Sequence, residues 1–468
     1  MVARTQARPT TALKTAFGSR LVLLGAFAFA VMGDPVSSVA YAIEAALHAL
    51  HGNLFLLIPT MGIVLAIIAL VSLNYHQLYA RFPEGGGDAA ATGAAFGDAW
   101  AFLPLGALIV DYALTIGISV AAGASAIVAY VPGLDSARLP LALGLLVGVA
   151  GLTWFGHAGR SIFGVMTIAF VLVGTIILLK GFSSPAHHGH APVVPHGHHT
   201  WGPLAVLLAF PVAMALATGV EAPSSAIAQL GQLDNAGRLR FGRITLWLML
   251  GIVIWLTAGL TLLAHRLHVG LPPHDSTQIA QTAKASVGTG ALFAAFQLTT
   301  ALLLLSAASS SFQAGPGLLK ALAHGGGGAE VLPNLLCRTN RHHTPYWGVV
   351  VFVGVAAATV VAARAHEQEL VLFYAVAVFI SFLCGLLSMA RFFAGDGRRV
   401  FLAASVVGAV AVTVTLLVDF ARLYPIVSFV AACAIAGGLY VLWVRAGRPG
   451  RVSEVERLAE AELAEDLP

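Results

Sequence analysis

LVLLGAFAFAVMGDPVSSVAYAIEAALHAL (Leu21–Leu50) begins as a membrane-spanning helix, meets Gly33-Asp34-Pro35 near its middle, and then resumes. Pro35 has no N–H to donate and pushes Asp34 away from helical backbone. Ser37 and Ser38 are good N-cap residues for the resumed half. The stretch reads as one span broken at its centre, with a carboxylate at the break. Irregular backbone at membrane depth persists only where it is buried in protein or lines a cavity. A carboxylate at that depth costs several kcal/mol and marks a functional site. The competing reading is a kinked helix with Asp34 paired internally.

The rest of the chain agrees with a membrane setting. Of 468 residues, 58% are hydrophobic and only 10% charged, and the mean hydropathy is +0.86. Such a composition excludes a water-soluble core and indicates a polytopic membrane protein. Apolar runs of about 20 residues predict twelve spans, near 21–50, 54–80, 98–131, 140–157, 160–181, 202–230, 242–268, 290–322, 346–364, 368–394, 399–418 and 424–446. With both termini placed in the cytoplasm, Arg138, Lys180, Arg266, Lys284, Arg364 and Arg422 fall outside and every other Lys and Arg falls inside. That asymmetry follows the positive-inside rule, so the basic balance reports orientation in the cell membrane and not nucleic-acid binding. A cleaved leader would discard half of the first span and is not expected.

A second interrupted span lies at 202–230, where Thr218-Gly219 precedes Val220-Glu221-Ala222-Pro223. Breaks in the first and sixth spans imply two five-helix halves. Because five is odd, the second half is inverted relative to the first. Paired interrupted spans point to a secondary transporter with its site near the midplane. The expected fold is therefore all-α, with a 5+5 inverted repeat, broken helices one and six, and two further helices. The expected units are a cytoplasmic tail (1–19), a first repeat (20–182), an outer His-rich loop (183–201), a second repeat (202–395), a helical pair (396–446) and a short cytoplasmic tail (447–468).

On the third span, Tyr112, Thr115 and Ser119 fall on one helical face. Three oxygens so arranged suit a hard cation and equally suit hydrogen bonds between helices. Asp111, next to that face, is a proton candidate or a packing residue. Tyr374 places a hydroxyl inside the apolar tenth span, and such a group finds a partner when buried. The loop with His187, His188, His190, His196, His198 and His199 lacks fixed ligand spacing and reads as solvated rather than as a transition-metal site. Gly85-Gly86-Gly87-Asp88 lacks the Lys-Ser/Thr of a nucleotide loop and reads as a cytoplasmic turn. Segment 275–290 reads as a helix over the outer mouth, Gly325–Gly328 as a flexible inner linker, and the stretch from Arg451 on as a charged helical tail. Cys337, Cys384 and Cys433 form neither a disulfide framework nor a metal cluster. No nucleophile–base pair and no His-Glu-x-x-His motif is present, so an enzyme is not expected and no cofactor is implied.

Four motifs then carry a resemblance. Gly33-Asp34-Pro35-Val36-Ser37-Ser38-Val39-Ala40-Tyr41, Asp111-Tyr112-Ala-Leu-Thr115 with Ser119-Val-Ala-Ala-Gly123, Thr218-Gly219-Val220-Glu221-Ala222, and Leu372-Phe373-Tyr374-Ala-Val-Ala-Val-Phe379 follow one another in order. Together they resemble KimA-type potassium transporters of the amino acid–polyamine–organocation superfamily, over most of 20–395. The resemblance implies a LeuT-type fold and proton-driven potassium uptake. It implies potassium ligands at Asp34, Tyr41, Tyr112, Thr115, Ser119, Thr218, Glu221 and Tyr374. Glu221, Asp34 and Asp111 are then the candidates for proton coupling, and Gly33, Pro35 and Gly219 the residues that break the helices. The partners expected are potassium, protons and membrane lipid, with a homodimer left open. The departures are Pro223 and Ser225 after Glu221, the plain Ser311-Phe312-Gln313-Ala314-Gly315-Pro316-Gly317 in span eight, and Asp88 where the family has tyrosine. The chain also reads as lacking the family's large cytoplasmic C-terminal domain, which puts regulation or dimerisation through that domain in question. An amino acid or polyamine permease on the same scaffold is the alternative. A carboxylate at the first break disfavours an anionic substrate group, since like charges at roughly 4 Å repel by about 4 kcal/mol at an effective dielectric of 20.

Overall fold

The computed structural model describes residues 23–155, 160–187, 202–323, 329–421 and 423–465. The first helix, α1, covers 23–31. It is followed by α2 (Gly33–Ser37), α3 (Val39–Ala49), α4 (Leu54–Arg81), α5 (Gly87–Phe96), α6 (Asp98–Tyr130), α7 (Arg138–Trp154), α8 (Arg160–Ser183) and α9 (Gly202–Ala213). Next come α10 (Ala222–Ala226), α11 (Asn235–Arg266), α12 (Gln278–Val287), α13 (Ala291–Leu322) and α14 (Tyr346–Ala362). The series closes with α15 (Glu367–Gly395), α16 (Arg399–Asp419), α17 (Leu423–Arg445) and α18 (Val455–Glu465). Outside the helices, the described residues contain an isolated bridge between Ala323 and Leu332.

Among the described residues, ten helical stretches are long and apolar enough to cross a bilayer. Two shorter apolar helices, Val39–Ala49 and Tyr346–Ala362, lie within the first and ninth expected spans. Local signals set several starts. The Asn53 side chain accepts from the N–H groups of Phe55 and Leu56 at 3.1 and 3.2 Å. Asp234 does the same for Gly237 at 3.0 Å, and Thr277 for Ala280 at 3.3 Å. These side chains satisfy donors that a helix start leaves open.

The axis of the bundle is α6, whose most apolar stretch is 89% buried, against 22% for the stretch in α17. Its Ala, Gly and Ser content explains that position. Lipid is as apolar as leucine, so helices associate in it by close packing, and small residues permit the approach. A β-carbon on Gly106 would lie 2.7 Å from the Ala432 carbonyl oxygen of α17. On Gly117 it would lie 2.9 Å from Thr359 Oγ1 of α14. Around α6 stand α13, α15, α5 and α7, while α7, α8, α16 and α17 are the most exposed.

The first span is jointed rather than unwound. Single-residue turns at Met32 and Ser38 separate three helical pieces, and Asp34 itself lies in helix. The expected caps do not form, and neither serine accepts from a helix start. Instead Ser37 Oγ donates to Asp34 O at 2.7 Å and Ser38 Oγ to Pro35 O at 2.6 Å. Without water at that depth, the hydroxyls are used on carbonyls of the distorted turn instead of on N–H groups. Gly33 serves close packing: a β-carbon there would lie 3.3 Å from Thr167 Oγ1 and 3.4 Å from Ser306 Oγ.

Candidate functional site

The sixth span has a true interruption. After α9 the chain tightens into a 3-10 turn over Met214–Ala217, Thr218 swings to φ −54 and ψ 136, and Gly219 takes φ +73. Only glycine adopts that left-handed backbone without steric cost. Helix α10 restarts with Pro223 in its first turn, where the missing N–H is harmless. Thr218 Oγ1 donates to Ala215 O and Ser224 Oγ to Glu221 O, both at 2.7 Å.

The two distorted regions touch. A β-carbon on Gly219 would lie 2.8 Å from Pro35 Cδ and 2.9 Å from Asp34 Oδ2. Ser38 Oγ also donates to Leu216 O at 3.0 Å, which ties the second joint of span one to the turn before the break. Thr218 is set beside the Tyr41 hydroxyl.

Next to this crossing is a cavity of about 90 Å³, whose wall includes Asp34, Tyr112, Glu221, Ser310, Gln313 and Glu460. Among the described residues, no Lys, Arg or His lines it. Asp34 and Glu221 are 9% and 6% exposed. Asp34 Oδ1 and Glu221 Oε2 find no hydrogen-bond partner among the described residues. A buried oxygen left in that condition is costly unless something else occupies its lone pairs. The Asp111 carboxylate lies within electrostatic range of both. Tyr41, Thr115, Ser119 and Thr218 are all buried close by in sequence or space, but they are not on the cavity wall. The Tyr374 side chain falls outside the described residues, although its backbone continues α15. His188, His190, His196, His198, His199 and Gly325–Gly328 also lie outside them.

Sequence reasoning missed three features around the site. The first is Asp88. The glycine run does turn the chain, but α5 begins at Gly87 and Asp88 is buried within the bundle. Asp88 Oδ2 accepts from Tyr75 OH at 2.8 Å and Ser381 Oγ at 2.9 Å. Burial pushes the carboxyl up to about 7 against the pull of those two donors.

The second is the docking of α18, the helix expected as a charged cytoplasmic tail. It packs against α10, α13, α5 and the end of span six. Glu456, 3% exposed, accepts from Ser225 Oγ, and Glu460 accepts from Gln229 Nε2. Lys320 and Glu462 form an ion pair at 2.8 Å. Gly93 gives room for this docking, since a β-carbon there would lie 2.4 Å from Ser453 Cβ. Burial, and beyond it the Asp88 and Glu460 charges, push the Glu456 carboxyl up to about 8.

The third is a polar cluster at the other end of α6. Ser125 Oγ donates to Glu367 Oε2 at 2.6 Å and accepts from Arg138 Nη1 at 3.1 Å. Arg138 also pairs with Asp135 at 2.8 Å and donates to His274 O. Nearby, the Gln278 N–H at the start of α12 donates to Glu44 Oε2 at 2.7 Å. These groups tie α6, α7 and α15 together, and α3 to α12, at the end of the bundle away from α18.

Residues 22–454 match the family described as amino acid permease. The chain is also 29% identical, over 366 residues, to the potassium transporter KimA of Bacillus subtilis (strain 168). That alignment covers 75% of this chain and 58% of the relative, so the chain spans well under two thirds of that protein's length. Helix α18 lies just beyond the family match.

Proposed function

The chain belongs to the amino acid permease family, a family of membrane transporters and not of enzymes, and on that footing we propose that it carries potassium into the cell by proton-coupled uptake. The observation that carries this reading is the pair of buried carboxylate oxygens, Asp34 Oδ1 and Glu221 Oε2, without hydrogen-bond partners among the described residues, beside a small cavity with no basic side chain among its described lining residues. Asp34, Glu221 and Glu460 on one wall suit a cation. The name of the Bacillus relative points to the same ion.

In this reading the potassium ligands are Asp34, Tyr41, Tyr112, Thr115, Ser119, Thr218, Glu221 and Tyr374. Two carboxylates facing one low-dielectric cavity do not ionise together at low cost. Without cargo, Asp34 and Glu221 hold a proton between them, and a potassium ion takes its place. Asp111, within range of both, is the route by which that proton leaves. The scaffold is a 5+5 inverted repeat of twelve spans with both termini in the cytoplasm. The cluster at Arg138 and Glu367 is then the outer gate, and the region under α18 the inner one. Rocking of one helical group against the other exposes the site to each side in turn. A cationic amino acid or polyamine is the second reading, favoured by the family alone.

The experiment is growth of a potassium-auxotrophic host at limiting potassium. Wild-type chain should support growth, and Asp34→Asn and Glu221→Gln should not while remaining in the membrane. Wild-type growth with both variants would remove the mechanism.

A further inference from the structure

Among the described residues, Glu460 is the one lining carboxylate that comes from outside the interrupted spans. It sits on α18, is 8% exposed, and shares the cavity wall with Asp34, Tyr112 and Glu221. Its carboxylate accepts from Gln229 Nε2, at the end of the sixth span's second half. The helix that carries it is held at three further points: Glu456 on Ser225, Glu462 on Lys320, and Arg457 toward Glu84 at 3.8 Å. A helix that only covered the bundle would turn alanines or a neutral face toward this cavity. This one presents an acid to a wall that already holds two incompletely bonded carboxylates, each more than nine-tenths buried.

We propose that Glu460 is a second cation station, a carboxylate ligand at the α18 end of the pathway that receives the ion as it leaves Asp34 and Glu221, with Gln229 positioning it. The proposal rests on the transport reading above. It assigns α18 to the pathway itself: the helix closes the cavity and supplies the group to which a monovalent cation moves next.

The test uses the full chain in detergent, with Cys337, Cys384 and Cys433 replaced by serine and a single reporter at half-buried Ser310→Cys on the cavity wall. The rates of labelling by a cationic and an anionic methanethiosulfonate are compared, and their ratio reads the charge inside the cavity. A unit charge at roughly 6 Å in a wet cavity changes the local concentration of a monovalent ion about threefold. Glu460→Gln should lower the cationic-to-anionic ratio by at least that factor. Glu460→Asp, which keeps the charge, should restore it, and potassium should slow labelling less in Glu460→Gln than in the parent. An unchanged ratio in Glu460→Gln would overturn the proposal, and so would an equal fall in Glu460→Asp, which would mark a structural role. If the parent moves no potassium in the uptake assay yet the ratio still falls and recovers, the potassium reading fails while Glu460 keeps its place in a cation path.

Discussion

Gly219 of the sixth span sits against Asp34 of the first, so closely that a β-carbon on Gly219 would lie 2.9 Å from Asp34 Oδ2. The contact joins the weakest points of two spans far apart in sequence. Gly219→Ala adds a left-handed backbone penalty of roughly 1–2 kcal/mol to a collision with Asp34 and Pro35. The expected outcome is a lowered thermal midpoint in detergent and loss of uptake. Unchanged values of both would mean that the two breaks do not meet.

Arg138 is buried with Glu367 at the opposite end of α6, and Ser125 hydrogen-bonds to both. Removing one partner of such a group strands the other charge, at a cost of roughly 3–5 kcal/mol. Arg138→Leu should therefore destabilise the protein much more than Glu367→Gln, which still accepts from Ser125. Thermal unfolding of the two variants, followed by tryptophan fluorescence, gives the comparison.

Asp88 separates a buried acceptor from an exposed turn residue. Asp88→Ala leaves the Tyr75 and Ser381 hydroxyls buried without their acceptor, at roughly 1–3 kcal/mol for each group. Asp88→Asn keeps an acceptor and should cost less. A turn residue in solvent would change stability by no more than about 0.5 kcal/mol. Unfolding midpoints distinguish these outcomes.

Docking of α18 should depend on pH through Glu456. Burial holds this carboxyl at about 8 in the docked helix, against an ordinary value of 4.5. The docked form therefore binds the proton more tightly. Docking is strongest below about 4.5 and weakens as pH rises through about 8. The groups facing Glu456 are Ser225, Asp88, Glu460 and the Ala89 backbone. Asp88, at about 7, loses its own proton in the same window. Trypsin cleavage after Arg457 should speed up between pH 6 and pH 9 relative to Glu456→Gln, which retains only the Asp88 contribution. Equal pH profiles for both proteins would contradict the assignment to Glu456.

The sequence made the sixth-span break readable because Thr218-Gly219 and Pro223 are local signals whose meaning does not depend on neighbours. The first span was readable only in part. Pro35 and Asp34 mark a disturbance, but whether a disturbed turn unwinds or only bends depends on what packs around it, here Thr167, Ser306 and Leu216. Asp88 and Glu456 were unreadable for a related reason. A charge beside glycines, or in a charged tail, looks solvated until the fold brings Tyr75, Ser381 or Ser225 to it. The Arg138–Glu367 cluster joins residues more than two hundred positions apart, so no spacing announces it. The amphipathic placement of Val452, Val455 and Ala459, all buried, was the one available sign that the tail docks.

The central claim is that Asp34 and Glu221 form a site for potassium. Purified protein in liposomes, with internal potassium and pH recorded together, tests it most directly. The account predicts that external potassium produces an internal potassium rise accompanied by a pH change, both lost in Asp34→Asn. A potassium signal no greater than that of empty liposomes, with arginine or an alkylamine driving the pH change instead, would contradict it.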